Sequence, residues 1–219
     1  MKKIPLLIAG TVVLTTMTGC INNSVNRNDV KEYYYVFDIK SESQDYDKII
    51  SVLDKSLDYN VVDMSAERPI PSANIPEKPG RFQVVNPFGN TGFAAMAGAS
   101  AKMATCTGDG MLYKATASKD VGSDLMSITS CLWQYEGGYS LDFYMKVDKG
   151  SKSMIGKLAS SVAGKITFTP EEWSQAKAFD AVRALEEKAG VKVKLKTGYP
   201  RVEGEPWVDG NYKGKGLAG

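Results

Sequence analysis

This 219-residue chain has no histidine, three cysteines and 25 acidic side chains, and these bound its chemistry. Without imidazole there is no Ser-His-Asp or Cys-His catalysis and no imidazole-bound zinc. Carboxylate, lysine and tyrosine chemistry remains. Asp109, Asp120, Asp124, Glu136 and Asp142 fall near expected turns or strand faces in the middle of the chain. Two such acids held about 5–10 Å apart would make a glycosidase pair. Acids near loops are common, however, and the turn signal Asp109-Gly110 already accounts for Asp109. Lys192, Lys194 and Lys196 alternate with Val191, Val193 and Leu195. That row offers an anionic-surface contact for phospholipid, lipopolysaccharide or another polyanion. Equally, lysines on an exposed strand block edge-to-edge pairing, which is the favoured reading. Tyr199, Trp207 and Tyr212 either stack on a ligand or dock the tail onto its own domain, again with the second favoured. No metal site and no cofactor are expected.

The amino end carries a different kind of signal. Lys2 and Lys3 precede a mostly apolar stretch from Ile4 to Thr18, followed by Gly19 and Cys20. A basic start, an apolar middle and small residues before a cut site form a secretory leader. The stretch of 15 residues, interrupted by Pro5 and Gly10, is short of the ~20 that cross a bilayer core. Met17-Thr18-Gly19-Cys20 resembles the signal of bacterial lipoproteins, with methionine where leucine is usual. The resemblance covers residues 1–20. It implies cleavage before Cys20, lipidation of that thiol and acylation of the new amine. Ile21 and Asn22 follow the cysteine in place of the aspartate that retains such proteins at the inner membrane, which implies sorting to the outer membrane. Two or three acyl chains, at roughly 0.8 kcal/mol per buried methylene, hold a protein stably where one does not.

With Cys20 assigned to lipid, Cys106 and Cys131 remain, and two cysteines in an exported chain most simply pair. The loop they would close, about 25 residues, stabilises by roughly 3–4 kcal/mol in the chain-entropy model. Removing Lys2 and Lys3 with the leader leaves 25 basic and 25 acidic side chains. This balance does not suggest nucleic acid, for which a basic patch is expected.

The elements follow from periodicity. Tyr33, Tyr35, Phe37 and Ile39 alternate with Tyr34, Val36, Asp38 and Lys40, which predicts a strand. Ser43 is placed to cap a helix whose apolar stripe is Tyr46, Ile49, Ile50, Leu53 and Leu57, with Asp45 favourable to its dipole. Val61 and Val62 open a short strand. Four prolines within 65–80 predict an extended surface loop. Arg81 to Val85 returns to strand character. The Gly/Ala-rich stretch 86–104, with Phe93 and Met96, is either an apolar loop that touches lipid or a partner, or one packed over the sheet; the second is favoured. Hairpins are expected about Asp109-Gly110, with Ala104 and Cys106 facing Tyr113 and Ala115, and about Glu136-Gly137-Gly138. The latter puts Trp133 opposite Leu141 and Cys131 opposite Phe143, on the core side. Met154, Ile155, Leu158, Val162 and Ile166 have helical spacing. Thr169-Pro170-Glu171-Glu172 opens a helix that Gly190 stops.

The order of elements predicts an α+β fold: a twisted antiparallel sheet with helices packed on one face. The expected organisation is a leader (1–19), a lipidated Cys20 with flexible tether (20–31), one periplasmic domain (32–197) and a flexible tail (198–219). The functional expectation is an outer-membrane-anchored lipoprotein that meets the membrane through its lipid and an envelope protein through its domain. It would act as a non-enzymatic interaction or assembly module. Two alternatives stand beside it: a lipid or small-ligand binder, with its pocket between sheet and helices, and a carboxylate-dependent hydrolase of cell-wall glycans.

Overall fold

The computed structural model describes residues 30–41, 45–87, 89, 102–121, 124–149, 169–212 and 215. Cys20, Ser43, Phe93, Met96 and the helical spacing at 154–166 lie outside the described residues.

Alternation in the sequence becomes an antiparallel sheet. Its strands are β1 (Val30–Lys40), β2 (Asp63–Glu67), β5 (Met111–Val121), β6 (Asp124–Tyr135), β7 (Gly138–Asp148) and β8 (Lys192–Tyr199), in the spatial order β2-β5-β6-β7-β1-β8. The first strand by sequence is therefore interior. It pairs with β7 from Val30↔Asp148 to Ile39↔Tyr139 and with β8 on its other side. The apolar residues of β1 go where the alternation says: Tyr35, Phe37 and Ile39 are fully buried. They join Leu141, Phe143 and Met145 of β7, and Ile128 and Leu132 of β6, in one core cluster.

Helices cover that cluster. In α1 (Tyr46–Asp58) the buried stripe is Ile49, Ile50, Leu53 and Leu57. Its cap is Asp45, two residues on from the expected Ser43, and its carboxylate accepts from the Lys48 amide at 3.1 Å. In α2 (Pro170–Ala184) Thr169 caps Glu172 N while Glu172 reaches back to Thr169 N, the reciprocal pair foreseen from the sequence. The helix runs on as a π-helical turn, Leu185–Ala189, and ends at Gly190 in the left-handed region. Phe179 and Val182 of α2 meet Tyr35 and Phe37 in the core. Fully burying a side chain of this size contributes about 1.5–3 kcal/mol.

The fold is mixed α and β, dominated by antiparallel strands, and it has a layer the sequence did not announce. β3 (Arg81–Val85) and β4 (Met103–Thr107) pair with each other as a separate two-stranded ribbon. β3 contacts β7, and β4 contacts β5 and β6. This corrects the expected hairpin about Asp109-Gly110: β4 does not pair with β5, and the turn passes the chain from ribbon to sheet. Gly108, with φ +103°, makes the passage, because a Cβ there would meet the Gly80 Cα at 2.8 Å.

The second hairpin is corrected by one residue. Tyr135 pairs with Gly138 across a two-residue turn, so Trp133 faces Ser140 and Cys131 faces Asp142. A one-residue slip moves every side chain to the opposite face. Cys131 and Trp133 therefore share a face with Asp142, away from Leu132 and Phe143, and pack with Cys106 and Phe82 in a small second cluster. The predicted domain limit at residue 197 falls inside β8. Beyond it, α3 (Pro206–Asp209) buries Trp207 completely against Phe37 and Phe179. Tyr212 donates to Asp180 and accepts from Arg183 Nη1 at 3.0 Å, so Trp207 and Tyr212 pack on the same core as β1 and α2.

Candidate functional site

The outer face of the sheet, beneath the ribbon, gathers the polar chemistry. One end of the ribbon is fastened. Cys106 of β4 bonds Cys131 of β6, with Cα atoms 5.8 Å apart, so the expected pairing is present. The Phe82 ring lies 6.1 Å from Tyr34 and 5.6 Å from Tyr144. Gly80 sits so close to Trp133 that a Cβ would fall 2.3 Å from the indole nitrogen. Only glycine allows this approach.

Asp142 is the centre of this end. It is fully buried, and Arg81 Nη1 stands 3.3 Å from its Oδ1. The Phe82 amide (3.4 Å) and the Ser140 hydroxyl (3.3 Å) also donate to it. Burial pushes its pKa up to about 6, and Arg81 with the two hydrogen bonds offsets only part of that. Arg81 donates at 2.5 Å to Ser140 as well, so strand β3 is held to β7 by a charged, hydrogen-bonded clamp.

Toward the other end, the ribbon and sheet enclose a cleft of about 310 Å³. Its floor is laid by register. Thr116, Thr129 and Tyr144 stand side by side on β5, β6 and β7, and Ser118, Ser127 and Lys146 form the next rung on the same face. Lys114 and Lys146 enter from opposite corners, and Lys102 comes from the ribbon side. Lys146 pairs with Asp148 at 3.2 Å and donates to the Lys102 carbonyl at 3.2 Å. Lys114 meets Glu67 at 3.4 Å, and Lys102 meets Glu32 at 3.5 Å. The Tyr144 hydroxyl also donates to Glu32, at 2.9 Å; its pKa is raised by burial first and by that carboxylate second.

The five acids singled out from the sequence do not converge here. Asp142 is buried in the clamp, Asp109 lies in the β4–β5 turn, and Glu136 lies in the β6–β7 turn. Asp120 and Asp124 sit at the far end of β5 and β6. Twelve residues of strand separate Asp124 from Glu136, about 40 Å at the usual rise. Lys192, Lys194 and Lys196 lie exposed on β8, which among the described residues pairs with β1 alone and forms one edge of the sheet. On the helix side, where a ligand pocket was expected, the hollow between Tyr33, Tyr35, Glu171 and Gln175 measures about 100 Å³; the larger cleft is on the opposite face.

Sequence reasoning missed Lys102, Lys114, Lys146 and the hydroxyl ladder. A signal existed: Lys114, Thr116 and Ser118 alternate with Tyr113, Ala115 and Ala117, the same two-residue period that marked β1. It missed a second buried ion too. Lys177 of α2 is fully buried, its ammonium 2.5 Å from the Tyr59 carbonyl and over the Tyr59 and Trp173 rings. Burial lowers its pKa to about 7, against the pull of Asp180.

The described residues thus form a strand-dominated mixture of α and β whose sheet carries a stapled ribbon over a cleft with three lysines, a hydroxyl floor and an apolar wall. No family model, curated protein or solved structure matches this chain. Among the described residues, no helix is long and apolar enough to cross a membrane.

Proposed function

We propose that this chain is a lipoprotein, anchored through Cys20 in the outer membrane, whose domain faces the periplasm as a non-enzymatic interaction or assembly module. The observation that carries this reading is Met17-Thr18-Gly19-Cys20 placed directly after a basic and apolar leader. A disulfide between Cys106 and Cys131 accords with an exported domain. Ten residues link Cys20 to Val30, the start of β1, and span at most about 35 Å when extended. The domain would therefore work within that reach of the bilayer. Exposed Val84, Val85 and Met103 on the ribbon offer an apolar rim of the kind partners cover.

Two measurements test the reading. Intact-mass analysis of natively expressed protein should find the leader gone and residue 20 acylated. Cross-linking followed by native-detergent pulldown should recover a stoichiometric envelope partner, and Met103→Asp should weaken that recovery. A bare Cys20, or repeated recovery of the protein alone, overturns it. A small-ligand-binding role is the second reading, and the cleft of about 310 Å³ favours it.

A further inference from the structure

Three lysines stand in the walls of the cleft beside the apolar Val85, Met103 and Ala104, and its floor is hydroxylated. Lys102, Lys114 and Lys146 reach it from the ribbon and from two strands that are not neighbours, while Thr116, Ser127 and Thr129 form the floor between them. Among the described residues, no carboxylate lines it. The acids that pair with the lysines, Glu32, Glu67 and Asp148, stand outside its lining. Glu67 is mostly solvent-exposed, so its pair with Lys114 holds weakly. An ammonium carries three donors, so Lys102 and Lys114 have the capacity to serve a carboxylate and a ligand together.

We infer that this cleft binds a small phosphorylated sugar. The phosphate is the group that three lysines suit: they act as point charges, and a phosphomonoester brings about −1.5 to −2 at neutral pH. The sugar is what the floor suits. Hydroxyls donate and accept, so a ladder of Thr116, Thr129 and Ser127 matches a polyol, whereas an inorganic phosphate would leave most of that ladder unused. A volume of about 310 Å³ admits one phosphorylated ring. The proposal deepens the ligand-binding reading and is independent of the anchor. The same chemistry has two sources, a free sugar phosphate or the phosphorylated sugar headgroup of an envelope lipid.

The test uses the full chain in a non-glycosidic detergent, with glucose 1-phosphate, glucose and inorganic phosphate as titrants in calorimetry. Glucose 1-phosphate should bind saturably, and glucose and phosphate should each bind at least about tenfold more weakly. Added salt should weaken the binding. Lys102→Gln combined with Lys114→Gln should lower the affinity about tenfold or more, the worth of one charge-assisted hydrogen bond. Both lysines are partly exposed, so folding is retained, which tryptophan fluorescence checks. Thr116→Val, on an exposed floor position, should lower the affinity severalfold, and Lys192→Gln on β8 should leave it unchanged. Displacement of glucose 1-phosphate by micellar phosphatidylinositol 4-phosphate assigns the headgroup source, and its absence assigns the soluble one. The inference is overturned if glucose 1-phosphate fails to bind at millimolar concentration, if inorganic phosphate binds as tightly, or if Lys192→Gln abolishes binding while the cleft variants do not. None of these results bears on the mass of Cys20, so failure here and failure of the anchored reading are separable.

Discussion

Asp142 makes stability fall as the pH rises, the reverse of what most carboxylates do. Its pKa is raised from 3.8 in the unfolded chain to about 6 in the fold, chiefly by burial. Between those values the folded state binds more protons than the unfolded one. The contribution is therefore fully present below pH 3.8 and is lost as the pH rises through 6. At 1.36 kcal/mol per unit, the shift amounts to about 3 kcal/mol. Full burial justifies the conversion, and Arg81, about half exposed, cannot cancel it. Asp142→Asn keeps the shape and the contact with Ser140 but removes the titration. Urea unfolding followed by the fluorescence of the buried Trp133, Trp173 and Trp207 measures both proteins at pH 4, 5, 6 and 7. The asparagine variant should gain on the native protein by about 2 kcal/mol between pH 4 and pH 7, since part of the shift falls below pH 4. Parallel pH curves for the two proteins would refute the reasoning, because they would mean that Asp142 keeps an ordinary pKa under the ribbon.

Lys177 acts in the opposite sense. With its pKa lowered to about 7, its contribution makes stability rise with pH from about 7 toward 10.5, and Lys177→Met should flatten that rise in the same urea assay. Replacing Cys106 and Cys131 together by alanine should cost about 3.5 kcal/mol, the chain-entropy value for a separation of 25 residues, read as a lower urea midpoint. Trp207→Ala should cost about 3–5 kcal/mol, as for other buried aromatics; a loss below 1 kcal/mol would show that α3 does not anchor the segment after β8.

What the sequence made legible was local. The alternation in β1, the stripe of α1 and the capping box at Thr169 each reside within a dozen residues, and each stands in the structure as read. The ribbon was not legible, because β3 meets β4 across residues 86–102, and no periodicity encodes a pairing over that gap. The β6–β7 register was lost to a pair of glycines. Gly137 and Gly138 permit a two-residue or a three-residue turn, and the choice decides which face Cys131 occupies. The cysteine pairing survived the error because it came from counting thiols rather than from geometry. The cleft was missed for a similar reason: its lysines come from segments 102, 114 and 146, which only the folded sheet brings together.

The position of β1 has a mechanical consequence. A tether at Cys20 would pull on Val30, and that strand is paired with β7 from Val30 to Ile39 on one flank and with β8 from Tyr34 to Lys40 on the other. Force directed along an interior strand loads its hydrogen bonds in shear, many at once, instead of peeling them singly as at an edge. If the chain is anchored at Cys20 as proposed, tension from the bilayer would meet the ten-residue β7 ladder first, and the β8 ladder from Tyr34 onward.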